Sequence, residues 1–196
     1  MDKHDTSDAE TTYTRYPLNP GQERPYIIAK KYLKKAYVHL TVNDDKYTPN
    51  PKFNNISRIL PYNIKINYLC GFYHKDKRTY ESHKSKSYSE SRSPKGLPRQ
   101  LLCELLEELL YDKLRIEEDD IIVLDANPSY EPENFLVKMY ESMGFRVAGT
   151  LCKTKEQYIK DGGEEEEYND YFYTCETIMW STVKRVREWC GKYYKN

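Results

Sequence analysis

The sequence predicts an α/β fold, and three observations carry that prediction. Ile121–Gly149 reads as strand, helix and strand with tight connections. The segment 98–110 reads as a helix with one apolar stripe. The runs 37–42, 64–73 and 171–183 are rich in β formers. Within the first stretch, Ile121-Ile122-Val123-Leu124 is a short bounded aliphatic run, the pattern of a buried strand. No polar residue interrupts it, so it is expected at the centre of the sheet, parallel to a neighbour and covered on both faces. Ala126–Tyr130 is turn-forming, and Pro132 suits the first turn of a helix, where a missing N–H costs nothing. Phe135, Leu136, Met139 and Met143 recur at helical spacing, and Gly144 stands where a left-handed residue would end that helix. Phe145, Val147, Gly149 and Leu151 then alternate with Arg146, Ala148 and Thr150 as the next strand.

The remaining elements follow in chain order. Met1–Arg24 is polar with almost no aliphatic residue, so residues 1–24 are expected to be a flexible, loosely attached arm and residues 25–196 a single domain. Tyr26-Ile27-Ile28-Ala29 fits a strand or the start of a helix through Leu33. Tyr37–Val42 alternates as a strand, Asn43-Asp44-Asp45 signals a turn, and Thr48–Asn55, with two prolines, reads as a loop. Ile64–Tyr73 alternates more strongly. His74–Lys95 has seven basic and three acidic residues and no aliphatic one. It is either a polar edge strand over Arg78–Tyr88 or a loop. Pro98–Leu110 carries leucine pairs four apart on one stripe. Lys153–Asp170 is an acidic excursion with a Glu164–Glu167 run. Tyr171–Val183 reads as the last long strand, and Lys184–Tyr194 as a closing helix with Val186, Trp189 and Tyr193 on one side.

Net charge is zero but unevenly placed. Residues 1–100 carry 19 Lys and Arg against 10 Asp and Glu, and residues 101–196 carry 12 against 21. A basic face and an acidic face are therefore expected. Twenty tyrosines are many for this length; biased gene composition explains them more simply than a binding surface does. The five cysteines have no CxxC spacing, and their odd number points to reduced thiols and a cytoplasmic home. Cys70 and His74 form a C-x-x-x-H with no second pair at zinc spacing, so no metal is expected. No stretch approaches the ~18–20 apolar residues of a membrane span, and the N-terminus has no secretory h-region.

Tyr140-Glu141-Ser142-Met143-Gly144-Phe145, after a strand and one amphipathic helix, resembles the Y-x-x-x-G-F signature of the GNAT superfamily of acyl-coenzyme A-dependent N-acetyltransferases. Ser93-Pro94-Lys95-Gly96-Leu97-Pro98, before the leucine helix, is similar to that family's phosphate loop, Arg/Gln-x-x-Gly-x-Gly/Ala. The resemblance spans about Arg92–Leu151. It implies a mixed, mostly antiparallel twisted sheet with helices on both faces. It also implies a fourth strand forming half of the cofactor cleft, which would fall within His74–Lys95. Two departures stand in the loop. Ser93 replaces the expected Arg or Gln, although Arg92 is adjacent, and Pro98 replaces a Gly or Ala and offers no N–H.

The resemblance further implies an N-acetyltransferase that moves an acetyl group from acetyl-coenzyme A to a primary amine by direct attack. The amine is a small molecule, a polyamine or a protein. Tyr140 falls at the family's general acid. A phenol with pKa ~10 holds its proton at neutral pH and can protonate a departing thiolate whose thiol has pKa ~8.5. Arg92, Lys95, Gly96, Leu97, Arg99 and Gln100 would hold the cofactor phosphates, with backbone N–H groups and the helix dipole suiting an anion. Asn127 would bond the pantetheine arm or the substrate. The family's asparagine seven residues before the tyrosine is Glu133 here, with Asn134 one place later. Asp125, Glu81 and Glu90 are the candidate bases, and none is singled out. Two other readings compete. One is a catalytically degenerate binding or scaffold protein of the same fold. The other is a nucleic-acid binder that uses the Lys, Arg, Ser and Tyr residues of segment 74–95.

Overall fold

In the computed structural model the described residues are 3–16, 26–33, 36–43, 62–70, 96–111, 116–126, 135–160, 162, 165 and 175–194. They form a seven-stranded, mostly antiparallel sheet and four helices. The strands are β1 (Glu10–Tyr16), β2 (Tyr26–Leu33), β3 (Ala36–Asn43), β4 (Ile64–Cys70), β5 (Ile121–Ala126), β6 (Arg146–Cys152) and β7 (Cys175–Thr182). The helices are α1 (Leu97–Tyr111), α2 (Phe135–Ser142), α3 (Lys155–Lys160) and α4 (Val183–Tyr194). The sheet order is β1-β2-β3-β4-β5-β7-β6, with β4 and β5 its only parallel pair.

Alternation sets the faces. In β3, Ala36, Val38, Leu40 and Val42 are buried while Tyr37, His39, Thr41 and Asn43 are half-buried. In β5 both faces are apolar: Ile122 and Leu124 enter the main core, and Val123 enters a second cluster with Ile178. The expectation of a central strand with one parallel neighbour therefore holds. The leucines of α1 sit on the main core, where Leu101, Leu102, Leu105, Leu106 and Leu109 are fully buried. The same core takes α4 through Val186 and Trp189, and α2 through Tyr140, with Met143 just past the end of α2. Around Val123 and Ile178, Tyr62, Ile121, Ala148, Leu151 and Trp180 make the second cluster, on the other face. Among the described residues no helix joins it, and the helices that enter the main core are α1, α2 and α4.

Three other expectations are corrected. First, the arm is not loose over residues 10–16, because β1 pairs with β2 along its whole length. The cause is polar and therefore invisible to an apolar pattern. Lys31 points inward from β2 at 5% exposure. Its ammonium meets Glu108 at 2.5 Å, Glu104 at 3.6 Å and the Thr11 hydroxyl at 3.2 Å. Thr6 and Tyr13 donate to the same two glutamates at 2.7 and 3.1 Å. Second, the fourth strand of the described sheet is Ile64–Cys70; the polar segment 74–95, where the resemblance puts a strand of the cofactor cleft, lies outside the described residues, as do the turn at 44–45 and the loop at 48–55. Third, four cysteines are paired in disulfides: Cys103 with Cys190 joins α1 to α4, and Cys152 with Cys175 joins β6 to β7. Partners 87 and 23 residues apart leave no local spacing to read. No helix among the described residues is long and apolar enough to cross a membrane.

The stop of α2 explains the Tyr140–Phe145 motif. Gly144 lies at φ 90°, its N–H reaches the Glu141 carbonyl at 3.0 Å, and the Phe145 N–H reaches the Tyr140 carbonyl at 3.1 Å. This pair of bonds, with a left-handed glycine between, is a Schellman cap, which favours an apolar contact between its outer residues. That contact is present: the Tyr140 and Phe145 rings meet edge-on at 5.8 Å. A Cβ on Gly144 would stand 3.5 Å from the Arg185 Cβ, an ordinary contact. Gly144→Ala should therefore cost only the left-handed backbone strain, about 1–2 kcal/mol. In thermal denaturation we expect the melting temperature to fall by about 2–8 °C; no change would show that the cap does not hold the end of α2.

Candidate functional site

The one parallel pair is where the sheet opens. β4 and β5 pair at three positions only, Ile64 with Ile122, Lys65 with Val123 and Ile66 with Leu124. Beyond them β4 continues along β3 to Cys70 and β5 continues along β7 to Ala126, and their pairing with each other stops. A bulge lies at the parting. The register steps from Leu40–Ile66 to His39–Tyr68, leaving Asn67 as the extra residue, and a bulge bends its strand. The Asn67 amide donates to the Thr41 hydroxyl at 2.6 Å, which fixes the bend to β3. Crevices at the carboxyl ends of parallel strands are the usual ligand sites of α/β sheets. A parallel pair also needs a crossover, here through α1. Returning against the strands, α1 begins at the end of the sheet where β4 and β5 finish.

Charged groups gather on the second face beside this opening. Lys65 on β4 holds Asp125 on β5 at 2.7 Å, with the side chains 16% and 24% exposed. The other Asp125 carboxyl oxygen, Oδ1, is buried and has no hydrogen-bond partner among the described residues. Asp125 pairs with Ile178, so Glu176, two residues away on β7, is its diagonal neighbour on the same face. Burial, and then the Asp125 charge, push the Glu176 carboxyl above the usual glutamate range, against the opposing pull of Lys65 and Lys153. On the other side of the opening Tyr37, His39 and Tyr68 share the face. His39 stacks on Tyr68 at 5.6 Å and lies 6.1 Å from Tyr37. Burial, with Lys30 nearby, holds the imidazole below its ordinary pKa. Its Nε2 is buried without a hydrogen-bond partner among the described residues, while Tyr68 is 55% exposed.

The start of α1 is occupied by intramolecular contacts. Gly96 lies at φ 88°, a conformation that favours glycine. Its carbonyl accepts the Gln100 N–H at 3.0 Å and the buried Tyr194 hydroxyl at 3.2 Å. The Gln100 side-chain amide exchanges two hydrogen bonds with the backbone of His4 and also donates to Glu104. The Leu97 side chain belongs to the core. Arg99 lies over the Trp189 ring at 5.8 Å. Of the expected phosphate-binding residues, the structure thus brings Gly96, Leu97, Arg99 and Gln100 together at one helix end. Arg92, Lys95, Asn127 and Asn134 lie outside the described residues, as do Glu81 and Glu90. Tyr140 is 8% exposed in the main core. It does not line the pocket between the end of α2 and α4, which is walled by Glu141, Phe145, Arg146, Arg185 and Trp189.

Sequence reading named Asp125 but missed Lys65 and Glu176. One signal for Glu176 was present: it is the sole charged residue in Tyr171–Val183. Its meaning came only from the antiparallel register that sets it beside Asp125. Among the described residues no group of three or more His, Cys, Asp or Glu could hold a metal ion. In comparisons with protein-family models, with curated proteins and with solved structures, nothing matches this chain.

The Lys65–Asp125 pair should bind the two halves of the sheet at the point where they part. Lys65→Met leaves a half-buried carboxylate unopposed beside Glu176 and should cost about 2 kcal/mol. A urea double-mutant cycle with Asp125→Asn should return a coupling of about 0.5–3 kcal/mol. Additive losses would mean that the pair does not hold the junction.

Proposed function

We propose that this chain is a GNAT-like, acetyl-coenzyme A-dependent N-acetyltransferase acting on a primary amine. One observation carries the reading. The fourth strand, parallel to β5, pairs with it for three residues and then leaves it, and α1 begins at that end of the sheet. An acyl-coenzyme A suits such an opening: its pantetheine amides would meet strand backbone no longer used in the ladder, and its phosphates the start of α1. The Lys95–Gln100 turn, with Gly96, Arg99 and the neighbouring Arg92 and Lys95, takes the phosphates in this reading. The resemblance assigns Asn127 and Asn134 to the pantetheine, and an intracellular setting supplies the cofactor. The amine attacks the thioester carbonyl carbon directly, and Tyr140, on the helical side of the sheet, protonates the departing thiolate.

A second reading is favoured by a specific observation. The Gly96 carbonyl, the Gln100 amide and the Leu97 side chain already have internal roles, and Pro98 removes one N–H from the helix start. A protein of the same fold that has lost cofactor binding and acts as a scaffold would look like this.

Thermal denaturation with acetyl-coenzyme A separates the two. A ligand at 100 times its dissociation constant stabilises by about 2.7 kcal/mol, so the enzyme reading predicts a rise in melting temperature of about 5–11 °C. No shift at millimolar acetyl-coenzyme A favours the scaffold.

Tyr140→Phe separates capping from chemistry, because it keeps the ring that meets Phe145 and removes only the hydroxyl. We expect the melting temperature to stay within a few degrees and turnover to fall by about 10²–10⁴-fold. Full turnover, where chemistry is rate-limiting, would leave Tyr140 as a cap residue alone.

A further inference from the structure

We propose that the face of β1–β4 opposite the main core is a platform on which the bases of a single-stranded nucleic acid stack. The inference goes beyond the acetyltransferase reading and does not rest on it. Register carries it first. On that face Tyr16 stands opposite Tyr26, Tyr32 opposite Tyr37, and Lys30, His39 and Tyr68 form one row across three strands. The rings lie close together. Tyr16 and Tyr26 stack at 4.9 Å and 14°, His39 and Tyr68 stack at 5.6 Å, and Tyr37 lies 6.4 Å from Tyr68. Of the six tyrosines in these strands, Tyr13 alone turns to the helical side, where it bonds Glu108.

Exposure and charge decide the occupant. Tyr68 is 55% exposed and Tyr16 39%. The helix packed on β2, β3 and β4 is α1, and it covers the opposite, core face. An aromatic ring left in water beside rings already stacked offers a flat apolar surface, and any nucleobase can extend such a stack. Bases in a duplex are stacked on one another, so the ligand is a single strand. Its phosphates need cations. The acidic residues of α1 lie on the core side, where Lys31 and Arg187 engage them. The charged residues on the platform are Glu10, which accepts the Tyr32 hydroxyl, Lys65, which is held by Asp125, and Lys30. Lys30, opposite His39, makes no ion pair among the described residues. Residues 1–100 carry 19 Lys and Arg against 10 Asp and Glu, which favours an approaching polyanion. Burial, with Lys30 nearby, holds the His39 imidazole below its ordinary pKa, so at neutral pH it contributes a ring rather than a charge.

The test is fluorescence anisotropy of the full chain with labelled oligouridylate and oligothymidylate of about ten nucleotides, without acetyl-coenzyme A. Binding of either strand at low salt is expected, and the preference between them shows whether the sugar is read. Tyr68→Ala should weaken binding by about 5–150-fold, the usual span for one stacked base. Tyr68→Phe, which keeps the ring, should bind as wild type, and so should Tyr13→Ala on the helical side. Tyr16→Ala should weaken binding as well, and it carries the test if Tyr68→Ala does not fold. Lys30→Met should flatten the slope of log affinity against log salt by about 0.7, the share of one phosphate on a single strand. The oligothymidylate annealed to its complement should compete at least about tenfold less well than the free strand. Binding of neither oligonucleotide overturns the proposal while the acetyltransferase reading stands. Equal competition by the duplex or by heparin would mean that charge alone is recognised, and it too overturns the platform. Unchanged affinity in folded Tyr68→Ala would show that the strand lies elsewhere, with the same result.

Discussion

The parallel contact between β4 and β5 is the constraint on which the rest of the structure depends. Every other neighbouring pair of strands in the sheet is antiparallel and can zip along its length. A parallel pair cannot be closed by a hairpin, so the chain must cross the sheet between its members. α1 makes that crossing and brings the largest block of apolar side chains with it. Because the pair is only three residues long, two antiparallel blocks meet at a narrow seam. β1 to β4 lie on one side, and β5, β7 and β6 on the other. The Asn67 bulge turns one block away, and Lys65 with Asp125 fastens the seam at the level where the backbone ceases to do so.

Around that seam the polar contacts divide by face. On the helical face, Lys31 draws in Glu104 and Glu108 and brings the N-terminal strand with them. Farther along, Arg187 of α4 grips Glu107 of α1 at 2.8 Å and also pairs with Glu118, ahead of β5. The Lys31 contacts join the basic first half of the chain to its acidic second half, while the Arg187 contacts lie within the second half. On the second face Asp125 keeps one buried oxygen, Oδ1, and the His39 ring one buried nitrogen, Nε2, without a hydrogen-bond partner among the described residues. Unsatisfied buried polar atoms carry a cost that structural packing alone seldom explains, and both stand on the face that flanks the break.

Much of this was legible in the sequence. The leucine pairs of α1, the aliphatic run of β5 and the alternation of β3 and β4 are patterns of burial, and burial dominates local sequence choice. The features that were not legible are polar and long-range. Lys31 occupies an inward position of β2 that alternation alone would give to an aliphatic residue, and its glutamate partners lie more than 70 residues away. The cysteine pairs are made by helix and strand packing rather than by spacing. The Tyr140–Phe145 motif teaches the opposite lesson. It resembles a catalytic signature, and local geometry accounts for its tyrosine, glycine and phenylalanine as one helix cap. Such a motif testifies to a helix stop first, and the chemistry of its hydroxyl has to be argued separately. Of the candidate site, sequence placed Gly96 at the head of a helix and Asp125 at the end of a strand. The register that sets Glu176 beside Asp125 exists only in the folded sheet.

The central claim is that the break between β4 and β5 is built to receive an acyl-coenzyme A. A crystal structure of the full chain grown with acetyl-coenzyme A tests it most directly. The account predicts pantetheine between β4 beyond Ile66 and β5 beyond Leu124, with phosphates at Gly96. Acetyl-coenzyme A bound elsewhere, or a structure in which β4 and β5 close onto each other through Leu69 and Ala126, would contradict it.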